Sequence, residues 1–137
     1  MKGEKLIGRL ATGIGLGKTF TQLDWAKRQF VEKVGVDPYP GTINVIVDDP
    51  ESMPVWVRLK QTEGIQMDNP NNGPHDCDAK CWPVTIETGT AGPIEGAIVF
   101  PLVDGYPPAQ IEVIAAVGMR DAAGIEDGDS VTLVLKD

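Results

Sequence analysis

Four segments carry residues that could do chemistry. Gly13-Ile14-Gly15-Leu16-Gly17-Lys18-Thr19 sets three glycines at alternate positions ahead of a lysine and a threonine. Backbone N–H groups in such a loop can converge on an anion, and Lys18 adds positive charge. The spacing is one residue short of GxxxxGK[ST], so it is not a P-loop. A hairpin turn uses glycines in the same way. Pro40-Gly41-Thr42-Ile43-Asn44 is more specific. Residues two apart on a strand share a face, so Thr42 and Asn44 present two neutral oxygens side by side. That suits a hard cation such as Mg²⁺, which takes few protein ligands and fills its shell with water and phosphate. The same residues also read as a turn followed by a half-buried strand. Glu112 interrupts the apolar run Ile111-Glu112-Val113-Ile114-Ala115 and shares a face with Ile114. It is placed to be a general base or a ligand hydrogen-bond acceptor; a solvent-facing strand position gives the same pattern. The fourth segment holds His75, Cys77 and Cys81, with no second Cys/His pair to complete a closed zinc site. They read as a loop His, a loop Cys and a core Cys. With one His and no Gly-x-Ser-x-Gly, a hydrolytic triad has no support.

These segments need a scaffold. The 137 residues make about one domain, taken as residues 1–137. Apolar residues at 42% and charged residues at 23% are ordinary for a globular chain, so disorder is not expected. Twelve basic against twenty acidic residues leave a net charge of −8. That disfavours nucleic acid and anionic membranes as partners, because phosphate backbones are held by clustered Lys and Arg. A small phosphate ligand stays open, since backbone N–H groups can hold it. No apolar run approaches ~20 residues, so no membrane span is expected. The start, MKGEKLIGRL, lacks the apolar core of a signal peptide. Two cysteines are too few for a disulfide scaffold, and the expected compartment is the cytoplasm.

The pattern predicts a first strand over 4–11, ahead of the glycines. Asp24 is a candidate N-cap for a helix from Trp25 to Val34. Ala26, Phe30 and Val34 fall on one face of it, and Gly35 is its stop signal. Pro38-Tyr39-Pro40-Gly41 is a rigid turn into a strand from Thr42 to Val47. Val55 to Leu59 alternates as another strand, and the polar stretch 62–76 reads as a loop. Cys81 to Glu87, Glu95 to Phe100, Gln110 to Ala115 and Ser130 to Lys136 are further strands. Val117 to Ala123 reads as a short helical turn ended by Gly124. About seven short strands and one helix suggest a small β-barrel with one helix.

In this order, the segments resemble the CTP-dependent riboflavin kinases, a family found mainly in archaea. The resemblance covers nearly the whole chain. It rests on the glycine run 13–17, the helix ending in Val34-Gly35-Val36-Asp37-Pro38, and Tyr39-Pro40-Gly41-Thr42-Ile43-Asn44. Ile111 to Ala115, running on to Met119-Arg120 and Ile125-Glu126-Asp127-Gly128-Asp129, completes it. The resemblance implies a mainly β fold, a six-stranded cradle-loop β-barrel with one main α-helix and a short C-terminal helical turn. It implies transfer of the γ-phosphate of CTP to the 5′-hydroxyl of riboflavin, giving FMN and CDP. On this footing Ile14, Gly15, Leu16, Gly17, Lys18 and Thr19 would hold the nucleotide phosphates. Val117, Gly118, Met119 and Arg120 would contact the nucleotide. Thr42 and Asn44 would ligate Mg²⁺, and Glu112 would act at the flavin end.

Two departures mark this chain. Leu16 stands where the family loop usually has Glu. The family's basic residues followed by a flavin-contacting Thr become Leu102, Val103 and Asp104 here. An anion gained and cations lost beside a phosphate weaken charge stabilisation. The alternative expectation is therefore a divergent barrel that binds a nucleotide or other small anion without flavin kinase activity.

Overall fold

The protein is described by a computed structural model over residues 1–11, 22–70 and 78–136. Among these residues seven strands form one sheet: β1 (Lys5–Ala11), β2 (Ile43–Val47), β3 (Ile65–Met67), β4 (Ala79–Glu87), β5 (Ile94–Pro101), β6 (Gln110–Ala115) and β7 (Ser130–Leu135). The sheet order is β3-β4-β5-β6-β2-β1-β7, and a further β4–β7 pairing closes it. The result is a six-stranded antiparallel barrel, with β3 added on the outside of β4. One edge of β4 is thus shared: β3 takes residues 79–81 and β7 takes residues 84–87. Pro83, which has no N–H to give, falls between the two.

Alternation explains the interior. Leu6 and Leu10 of β1, Val45 and Val47 of β2, Ile111 and Val113 of β6, and Val131, Leu133 and Leu135 of β7 point into one barrel core. A second core lies outside the wall. There Ala26, Phe30 and Val36 pack on Cys81, Ala97, Val99 and Ile114. β5 is therefore covered on both faces, which is why its sequence is a continuous apolar run rather than an alternating one.

The covering helix is α1 (Asp24–Gln29), continued by a π-helical turn over Phe30–Val34. Its N-cap is Leu23, without a side-chain cap bond, so Asp24 belongs to the first turn rather than capping it. An acid there still favours the helix through the exposed N–H groups. Gly35 ends the helix at φ 78°, as expected. The Pro38–Gly41 turn also forms, with Gly41 at φ 109°, a conformation an L-residue adopts only under strain.

The reading of Val55 to Leu59 as a strand is corrected. This stretch lies in a helix, α2 (Ser52–Lys60). Val55, Trp56 and Val57 favour strands by type, but the buried positions are Ser52, Trp56 and Leu59, which is helical spacing. Pro54 sits in the first turn, where a missing N–H costs nothing. Ser52 Oγ accepts from the Ile7 N–H at 2.9 Å and donates to Asp49 Oδ2 at 2.8 Å, tying α2 to β1. The stretch 62–76 is likewise not all loop, because it contains β3. The short C-terminal helical turn is α3 (Met119–Ala123), ended by Gly124 at φ 64°. No helix of the described residues is long and apolar enough to cross a membrane.

Candidate functional site

The site lies where β2 begins and β6 ends. A cavity of about 300 Å³ opens there, walled by Tyr39 to Ile43 on one side and Val117 to Asp121 on the other. Val113 and Ala115 contribute the floor from β6. The Tyr39 N–H donates to the Ala115 carbonyl at 2.8 Å, so the proline-rich turn is stitched to the end of β6. Thr42 and the segment Val117 to Arg120, far apart in sequence, thus face one space. The side chain of Met119 is buried in the barrel core. Its share of the cavity wall is therefore mainly backbone. Arg120 is held by an ion pair with Asp127 at 2.5 Å, both side chains being about half exposed.

Asn44 follows Thr42 by two and shares its face. It is buried at 6% exposure, and its Oδ1 has no hydrogen-bond partner among the described residues. A buried amide oxygen without a partner costs about 1–3 kcal/mol, so it asks for a ligand. Together with the Thr42 hydroxyl it forms a small, neutral oxygen donor set. This fits a hard cation whose remaining ligands are water and phosphate. No group of three or more His, Cys, Asp or Glu side chains able to hold a metal occurs among the described residues. Cys81 is buried in the second core, and burial pushes its thiol up to about 12, so it is an inert core residue.

The β2–β6 register sets Asn44 directly opposite Glu112. Such cross-strand neighbours have Cβ atoms about 4.5–5.5 Å apart. Val99 of β5 lies on the other side of Glu112. Burial raises the Glu112 carboxyl above its ordinary value, and the Tyr106 hydroxyl partly offsets this. Tyr106 is itself pushed up to about 12, first by burial, with a hydrogen bond from Gln110 opposing it. That bond runs from Gln110 Nε2 to the Tyr106 hydroxyl at 3.2 Å. The ring of Tyr106 rests edge-on against Phe100, centroids 5.8 Å apart.

Asp104 lies on the exposed β5–β6 connection, and of the predicted residues Asp104, Asn44 and Glu112 none lines the cavity, which takes only Thr42 of the metal pair. From that connection it is Tyr106 that meets Glu112. Sequence reasoning missed Tyr106, which lies in the loop before β6 and carried no sequence signal. It also missed Tyr39 as a wall of the cavity, although two flanking prolines marked it as held rigidly. The glycine run Ile14 to Thr19 lies outside the described residues, as do His75 and Cys77. β1 ends at Ala11, which is paired with Asn44.

A family model named CTP-dep_RFKase, described as "Domain of unknown function DUF120", matches residues 10–135. A riboflavin kinase of Methanocella arvoryzae is 36% identical over 129 residues, which is 94% of this chain and 56% of that protein. A riboflavin kinase of Methanosarcina barkeri is 35% identical over 133 residues, 96% of this chain and 56% of that protein. One of Archaeoglobus fulgidus is 37% identical over 127 residues, 93% of this chain and 52% of that protein. The chain spans a little over half the length of these curated relatives.

Proposed function

The chain belongs to the CTP-dependent riboflavin kinase family, and on that premise we propose that it phosphorylates riboflavin at the 5′-hydroxyl, with CTP as donor. The oxygen of that hydroxyl bonds to the γ-phosphorus, the bond to the bridging oxygen breaks, and FMN and CDP leave. The observation that carries the reading is the register of β2 on β6. It sets the Asn44 amide, with its unpartnered oxygen, beside the half-buried Glu112 carboxylate.

Phosphoryl transfer depends on positioning and charge stabilisation more than on covalent chemistry. Thr42 and Asn44 would hold Mg²⁺ here. The ion, when bound, neutralises charge on the transferring phosphate. Glu112 accepts the proton of the acceptor hydroxyl, a role that its raised proton affinity suits. Val117 to Arg120 hold the nucleoside part in the cavity, and Ile14 to Thr19 wrap the phosphates.

A second reading has its own observation. Leu102 and Val103 are exposed at 41% and 46%, and the exposed Asp104 follows them, so this connection offers no cation to a phosphate. That favours a barrel that binds the nucleotide and leaves flavin unphosphorylated. The test is FMN formation from riboflavin with CTP or ATP, each with and without Mg²⁺. The kinase reading expects FMN with CTP only when Mg²⁺ is present. Tight Mg²⁺-dependent CTP binding with no FMN selects the second reading. A chain that binds no nucleotide sinks both.

A further inference from the structure

Tyr39 is held more firmly than its exposure demands. It sits between Pro38 and Pro40. The first ring fixes the entering chain, and the second restricts Tyr39 itself to extended backbone. Its N–H is bonded to the Ala115 carbonyl. Its ring lies against the backbone of Gly118: a Cβ built on Gly118 would come within 3.0 Å of the ring Cζ and 3.1 Å of Cε1. A side chain at 118 would therefore displace the ring. Yet Tyr39 remains 50% exposed, and it forms part of the cavity wall. Aromatic rings fixed by their own chain, backed on one side and open on the other, lose little entropy when a flat partner stacks on them.

Resting on the kinase reading, we propose that Tyr39 is the platform on which the nucleotide's base stacks, with Gly118 as the gap that seats the ring. Thr42, Ile43, Arg120 and Asp121 line the same cavity beside the ring and Gly118. The size suits a pyrimidine base with part of its ribose. Stacking explains why the site keeps an exposed aromatic with no polar task. The metal and phosphate work falls to Thr42 and Asn44, on the neighbouring strand.

Calorimetric titration with CTP in saturating Mg²⁺, on the full chain, tests this. Replacing Tyr39 by Leu keeps apolar bulk and removes the flat π-face. The expected loss of CTP affinity is about ten- to a hundredfold, the range of one base–aromatic stack. Tyr39→Phe should stay within about threefold of the parent. Gly118→Val should fall with Tyr39→Leu, since its branched side chain displaces the ring. Inorganic tripolyphosphate should bind the parent and Tyr39→Leu alike. Unchanged CTP binding in Tyr39→Leu, or a Phe variant as weak as the Leu variant, overturns the platform. So does parallel loss of tripolyphosphate, which assigns Tyr39 to the phosphate end. A parent that binds no CTP removes the kinase reading as well, so the two failures are told apart.

Discussion

The two ends of the barrel solve the same problem in opposite ways. At one end α2 closes the interior. Trp56 is 1% exposed there, edge-on to Trp82 and Phe100 at 6.1 and 5.8 Å, with Nε1 bonded to the Pro108 carbonyl at 3.1 Å. Lys60 Nζ lies 5.1 Å above its ring. That indole thus has two aromatic partners, a cation over its ring and a hydrogen bond. At the other end α3 covers only part of the opening, and a cavity remains. The aromatic there, Tyr39, is half exposed, and at the start of β2 the buried Asn44 Oδ1 has no partner among the described residues. A saturated aromatic cluster stabilises the fold. Rigid groups left unsatisfied beside a cavity mark the place where a ligand completes the structure.

If this division holds, the largest single effect should come from the closed end and spare the open one. Trp56→Ala removes a fully buried indole and should cost about 3–5 kcal/mol of stability. Chemical denaturation measures the loss. CTP affinity, corrected to the folded fraction, should match that of the parent. Loss of binding by the folded variant would show that the two ends work as one unit.

Asn44→Ala is the mirror experiment. A buried polar group normally costs stability when removed, because its partner is stranded. Asn44 Oδ1 has no such partner among the described residues, so the fold should change by less than about 1 kcal/mol. Mg²⁺-dependent CTP binding should vanish. Retained binding removes the metal assignment, and a large stability loss means that the oxygen has an internal role.

The open end was also the more legible in sequence. Pro40 to Asn44 announced a turn and a shared face by residue type alone, and the structure places Thr42 with Val117 to Arg120 around one cavity. The pairing of Asn44 with Glu112 was not legible, because register is decided by which strands meet. The closed end misled. Val55-Trp56-Val57 carries the composition of a strand, and only the burial of Ser52, Trp56 and Leu59 exposes the helix. Local propensity gave way there to the need to cover the barrel's end. Tyr106 was invisible as a partner of Glu112, because a loop's path over a sheet has no periodicity to read.

A smaller effect concerns charge at the junction of the two regions. Glu112 has its carboxyl raised above the ordinary 4.5 by burial, so the folded state holds the proton more tightly than the unfolded one. Stability contributed by the protonated form is therefore lost as pH rises from that ordinary value through the raised one. Glu112→Gln cannot ionise. Its stability relative to the parent should climb over this window and stay flat below it. Urea midpoints across the acid range check the sign. A variant that loses ground as pH rises would mean that the carboxylate, not the acid, is the favoured form in the fold.

The smallest effect is expected at Asp104, on the connection that leads from the closed end back to Glu112. If FMN is formed at all, an anion here repels a phosphoryl group only through solvent, since the side chain is exposed and water screens it. The effect should therefore be modest. Asp104→Thr should raise FMN formation a few-fold at low ionic strength, and added salt should shrink the difference between parent and variant. Leu102→Lys on the same background should add to the gain by supplying a cation. The rate of FMN formation under saturating Mg²⁺ and CTP is the measurement. A slower Asp104→Thr variant at every salt concentration would show that the carboxylate contacts the flavin directly. The β5–β6 connection would then belong to the open, ligand-completed region rather than to the saturated one.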